Sequence, residues 1–135
     1  MRAAASPTTA RGLVPRDLSK NHTMNYIGNA LSLGMLDFLD PLGDCTAVLD
    51  IVALTDEEAA IWAAENEWLS CVGHEDTARL FTAMLGQPVD MHRRSTSLLR
   101  GDHLLVGQYT GPRLPEGVTT LPPEARIRWM LVSVG

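Results

Sequence analysis

The stretch Cys71-Val72-Gly73-His74-Glu75-Asp76-Thr77-Ala78 holds the residue best placed to do chemistry. Leu69 to Val72 is a short apolar run that reads as a buried strand ending on Gly73. Beyond it Ala78, Leu80, Phe81, Met84 and Leu85 recur at helical intervals. His74 therefore stands at a strand-to-helix turn, at or next to the N-cap of the helix. Unpaired backbone N–H groups carry partial positive charge there, which makes the turn a natural seat for a phosphate. An imidazole beside a bound phosphate can serve as general acid or base. The same position equally suits a histidine that does no more than cap a helix.

A second candidate is Gly111-Pro112-Arg113-Leu114-Pro115-Glu116-Gly117, where two prolines and two glycines fix an exposed loop. Rigid presentation of Arg113 and Glu116 is what a site needs where charge develops in a transition state. A solvated ion pair of little worth has the same sequence. Arg93 and Arg94 add guanidinium groups, which suit phosphate because their donors meet two oxygens at once. On a strand from Arg93 to Leu99 the two would point to opposite faces. His92 and His103 read as surface residues, and His22 lies near the N-terminus. Histidines and carboxylates show no HExxH or similar ligand spacing, so the sequence supports no metal or other cofactor. GxxxxGK[ST], GxGxxG and GxSxG are all absent, which removes the common nucleotide-phosphate and serine-hydrolase readings.

These candidates belong to a chain of 135 residues, enough for one core and one domain. Hydrophobic residues make up 45% and the mean hydropathy is +0.01, as in an ordinary globular protein. No apolar run approaches the roughly 20 residues of a membrane span. The N-terminus lacks the apolar core of a signal peptide. Cys45 and Cys71 are too few for a disulfide framework and read as small buried hydrophobes. A cytoplasmic location follows as the expectation. A net charge of −5 argues against binding long nucleic acid. It leaves room for a small anion held locally, because Arg93, Arg94, Arg100 and Arg113 gather in the second half.

Residues 1–23, rich in Ala, Ser, Thr, Pro and Arg, read as a disordered leader ahead of a domain over 24–135. Leu13-Val14-Pro15-Arg16 matches a thrombin cleavage sequence, and Met24 offers an alternative start, so a non-native origin for the leader stays open. Met24–Ile27 predicts a strand, Leu33–Phe38 a short helical turn, and Thr46–Leu54 a second strand. Thr55 and Glu58 form a capping box for a helix to about Asn66, with Ala59, Trp62 and Ala63 facing the core. The strand at Leu69 and the helix from His74 follow, the helix stopped by Gly86 and Pro88. Arg93–Leu99 and His103–Tyr109 predict a hairpin turning at Arg100-Gly101-Asp102. Ile127–Val134 closes the chain as a strand. Trp62, Trp68 and Trp129 fall on amphipathic elements and read as core. The fold class expected is α/β, a single domain with a mixed β-sheet flanked by helices.

In order, Asn29-Ala30-Leu31-Ser32-Leu33-Gly34-Met35-Leu36, Gly73-His74-Glu75-Asp76-Thr77-Ala78, Gly101-Asp102 before an apolar strand and Arg113-Leu114-Pro115-Glu116-Gly117 resemble the viral ring nuclease family. That is a type III CRISPR anti-defence family with cellular relatives, first catalogued as a domain of unknown function. The resemblance runs from about Met24 to the C-terminus. It implies a homodimer with a central cleft that opens cyclic tetra-adenylate without a metal, giving linear di-adenylates. A ring with internal symmetry suits a two-fold axis. The resemblance makes His74 the general acid, Arg113 the stabiliser of phosphorane-like charge and Glu116 the carboxylate of the same loop that orients or assists proton transfer. Arg93 becomes a phosphate ligand, and Asn29, Ser32 and Gln108 further substrate contacts. Two departures stand out: His92-Arg93 where the family often has Asn-Arg, and Pro122-Pro123 where a helix usually begins. A module that sequesters the cyclic nucleotide uncut, or a small interaction or capsid-associated protein, would be the alternatives.

Overall fold

The computed structural model describes residues 23–135; the leader read over 1–23 lies, but for Thr23, outside them. Five strands form one mixed sheet: β1 (Asn25–Gly28), β2 (Leu49–Leu54), β3 (Leu69–Ser70), β4 (His103–Thr110) and β5 (Arg126–Val134). Their order is β2-β5-β4-β1-β3. β1 runs parallel to both β3 and β4, while β5 is antiparallel to β4 and β2. Helices α1 (Asp56–Glu65) and α2 (Glu75–Leu85) connect them. The α/β class with a single mixed sheet is as the alternating pattern predicts.

Side chains of the central strands alternate between two apolar layers. Ile27, Leu105, Ile127 and Trp129 face Ala59 and Ala63 of α1 and Ala78, Phe81 and Leu85 of α2. Tyr26, Leu104, Val106, Val132 and Val134 face Leu36 and Leu98. The helices therefore cover one face of the sheet, and chain without regular structure covers the other. Gly107 sets the helix seat: a Cβ there would lie 2.6 Å from Phe81 Cζ and 2.6 Å from Trp129 Cζ3. Those two rings meet over the bare backbone with centroids 4.8 Å apart and planes tilted by 56°.

Local signals held where the chain could satisfy them alone. Thr55 Oγ1 accepts from Glu58 N at 3.0 Å and Glu58 Oε1 accepts from Thr55 N at 2.9 Å, so the capping box forms. Gly86 ends α2 in the left-handed region at φ 72°. The turn after β1 is shorter than its pattern, a 3-10 turn over Leu33–Met35. Trp129 is buried, and Trp62 and Trp68 pack against the helix-side core.

Three readings need correction. Arg93–Leu99 is not a strand, and no hairpin turns at Arg100-Gly101-Asp102. The alternation is real, since Thr96 and Leu98 are buried, but it marks a segment laid across the sheet. Its backbone bonds go elsewhere, Leu98 N to Met35 O at 2.7 Å and Leu99 N to Asp102 Oδ2 at 2.9 Å. β4 takes β1 and β5 as partners instead, which pairs both of its edges. Consequently Arg93 and Arg94 do not divide between two faces of a strand. Finally, Cys45 is exposed: it lies in irregular chain ahead of β2, which begins at Leu49 and is itself largely exposed.

Candidate active site at the carboxyl ends of the parallel strands

β1, β3 and β4 run the same way, so their carboxyl ends lie along one edge of the sheet. In open α/β sheets that edge is where ligands are received. Asn29 and Ser32 follow β1, His74 follows β3, and Arg113 and Glu116 follow β4. Gln108 is exposed two residues past Val106, the last β4 residue paired with β1.

His74 is the N-cap of α2, with extended backbone at φ −133° and ψ 136°. Its carbonyl accepts the first helical bond, from Ala78 N at 3.0 Å, but its side chain makes no capping bond. The bland role left open by the sequence is therefore not the one the imidazole performs. It stands exposed at the turn, and the first amides of α2 receive nothing from it. Beside them Arg79 bridges Glu75 at 3.3 Å and Asp76 at 3.6 Å, a surface cluster in which one cation meets two carboxylates.

The turn that carries His74 is held from both sides. Asn29 Oδ1 accepts from Gly73 N at 3.2 Å, and Arg93 Nε donates to Gly73 O at 2.9 Å. His92 N donates to Val72 O at 2.7 Å, next to a parallel bridge between Val72 and Met91. Asn29, Arg93 and His74 are thus brought together around one glycine. Ser32 is not part of that cluster: its Oγ accepts from Gly34 N at 3.2 Å and caps the 3-10 turn.

The loop after β4 returns over the helices. Tyr109 donates its hydroxyl proton to Pro112 O. Leu114 and Leu121 pack against the helix-side core. A shallow groove results, lined by Glu75, Asp76 and Arg79 of α2 and by Arg113 to Glu116 of the loop. Arg113 and Glu116 therefore meet the first turn of α2, though His74 itself does not line this groove. Gln108 is separate again, on the sheet face opposite the helices.

Two arginines escaped the sequence reading. Arg128 pairs across the sheet with Gln108, and Arg126 with Thr110, so both project on Gln108's face, and both are exposed. Their signal was the alternation Arg126-Ile127-Arg128-Trp129, legible once the strand is extended by one residue. No group of three or more His, Cys, Asp or Glu that could hold a metal occurs among the described residues. Behind the turn, burial pushes the Cys71 thiol up, with the Thr96 hydroxyl and the Arg94 guanidinium pulling the other way.

The sequence model of the STIV B116-like family matches residues 25–126, which include every candidate site residue. The chain belongs to the STIV B116-like family. A solved member, B116 of Sulfolobus turreted icosahedral virus, superposes with a TM-score of 0.61 at 20% identity, covering 82% of this chain and 98% of that one. This is a likeness of fold to a viral protein. A search of curated proteins finds no match. No helix among the described residues is long and apolar enough to cross a membrane.

Proposed function

We propose that the protein is a metal-independent ring nuclease that opens cyclic tetra-adenylate and so counters type III CRISPR signalling. The observation that carries this reading is the free imidazole of His74 at the start of α2, beside a loop that brings Arg113 and Glu116 to the same helix turn. A 2′-hydroxyl of the ring attacks the adjacent phosphorus, and the bond from phosphorus to the 5′-oxygen breaks. His74, protonated, delivers its proton to the departing 5′-oxygen. Glu116 assists removal of the 2′-hydroxyl proton, and Arg113 offsets charge on the phosphoryl oxygens. The same step at the opposite phosphate of the ring divides it into two linear di-adenylates with 2′,3′-cyclic phosphate ends. A homodimer in the host-cell cytoplasm, with the ring on its two-fold axis, would double the basic groups facing four phosphates. Asn29, Ser32, Arg93 and Gln108 are the substrate contacts in this reading.

One observation favours a second reading. His74 stands off the groove that holds Arg113 and Glu116, as in a module that binds the ring and leaves it whole. Incubation with radiolabelled cyclic tetra-adenylate in excess chelator separates the two. Conversion to linear di-adenylates supports the nuclease; retention of an intact ring supports sequestration. A ring neither bound nor cut would overturn both.

A further inference from the structure

Glycine is the residue least able to hold its own dihedrals, yet Gly73 must aim the side chain that follows it. Its φ is not positive, and a Cβ there would meet nothing closer than Arg93 Cγ at 3.8 Å. Orientation at this point therefore depends on hydrogen bonds rather than on steric fit. The peptide before Gly73 is held at Val72 O by His92 N and at Gly73 N by Asn29 Oδ1. The peptide after it is held at Gly73 O by Arg93 Nε. With both peptide planes fixed, the two soft dihedrals of Gly73 are fixed as well; the peptide after His74 is held where Ala78 N donates to His74 O at 3.0 Å, and the three together set the Cα–Cβ direction of His74.

We propose that Asn29 and Arg93 are positioning residues that aim His74 by holding the two peptides around Gly73, in addition to any contact they make with a ligand. The catalytic consequence rests on the ring nuclease reading; the aiming itself does not. Arg93 spends only Nε on the turn, so its two terminal amino groups remain to meet a phosphate. A phosphate that draws on Arg93 thereby acts on the peptide bonded to His74, and ligand binding and acid placement become coupled.

Asn29 gives the cleaner test, because Asp keeps an acceptor for Gly73 N–H and Ala does not. In the full chain, N29A should raise Gly73 amide exchange about tenfold and shift the His74 ring resonances, with N29D restoring both. Ring opening by N29A should fall in kcat by about tenfold to a hundredfold, over and above any rise in KM from a lost substrate contact. N29D should recover kcat, at a higher KM where its charge meets phosphate. An N29A protein with the Gly73 amide still protected and the His74 resonances unmoved would overturn the proposal. So would a rise in KM alone, which is the mark of a plain ligand contact. If wild-type protein leaves the ring whole, the resonance measurements still decide the aiming, and only the nuclease reading falls.

Discussion

Gly73-His74 and Gly101-Asp102 have the same form in sequence, a glycine and a titratable residue opening a regular element, and the structure treats them oppositely. Asp102 is fully buried, its Oδ1 accepting from Met24 N and its Oδ2 from Leu99 N, both at 2.9 Å. Its main chain is tied in too, since Val134 N donates to its carbonyl at 3.1 Å. Every bond of this carboxylate named here ties one part of the chain to another. The imidazole of His74 is exposed and makes no capping bond, while the backbone beneath it is held. A group that holds the fold points its polar atoms inward. His74 is itself held through its neighbours and keeps its own polar atoms outward, as the proposed function requires of it.

Substitutions should break this contrast in order of size. His74→Ala should lower ring opening by about 10³-fold, roughly 4 kcal/mol of barrier, with the melting temperature unchanged; activity near wild type in single turnover would remove His74 from the chemistry. Asp102→Ala should cost about 3 kcal/mol of stability by leaving two main-chain donors unmet, read as a lower urea midpoint. Asp102→Asn should lie between the two, because one of its amide atoms still accepts. The smallest effect concerns the cysteines. Cys45 is exposed and Cys71 has its thiol pushed up by burial, so at pH 8 a thiol reagent should label Cys45 well before Cys71. Raising the pH should narrow the gap, since the thiolate of Cys71 forms only at higher pH.

The helical parts were legible because their signals are local. Thr55 and Glu58 satisfy each other three residues apart, and Gly86 ends α2 without reference to anything distant. The misreadings at 92–102 have the opposite cause. Period-two alternation says that every second residue is buried, and Thr96 and Leu98 are. It does not say whether the backbone beside them pairs with a strand. That question was decided by Met35 and Asp102, lying 63 residues before and four residues after Leu98. Likewise the residue types of the site could be read from the chain, but not the clamp at Gly73. Asn29 is 44 residues away from it, and only the parallel pairing of β1 with β3 brings the two together.

Gly107 carries a consequence for how this site can vary. Phe81 and Trp129 lie where its side chain would be, so the missing methyl group sets the clearance between α2 and the sheet. α2 has 11 residues, with Phe81 a little past its middle. Over the roughly 9 Å from Phe81 back to the helix start, a shim at Gly107 would tilt the helix and carry His74 with it. The placement of His74 thus depends on the middle of a different strand, and exchanging one hydrogen for a methyl within the sheet would be felt as a misalignment at its rim.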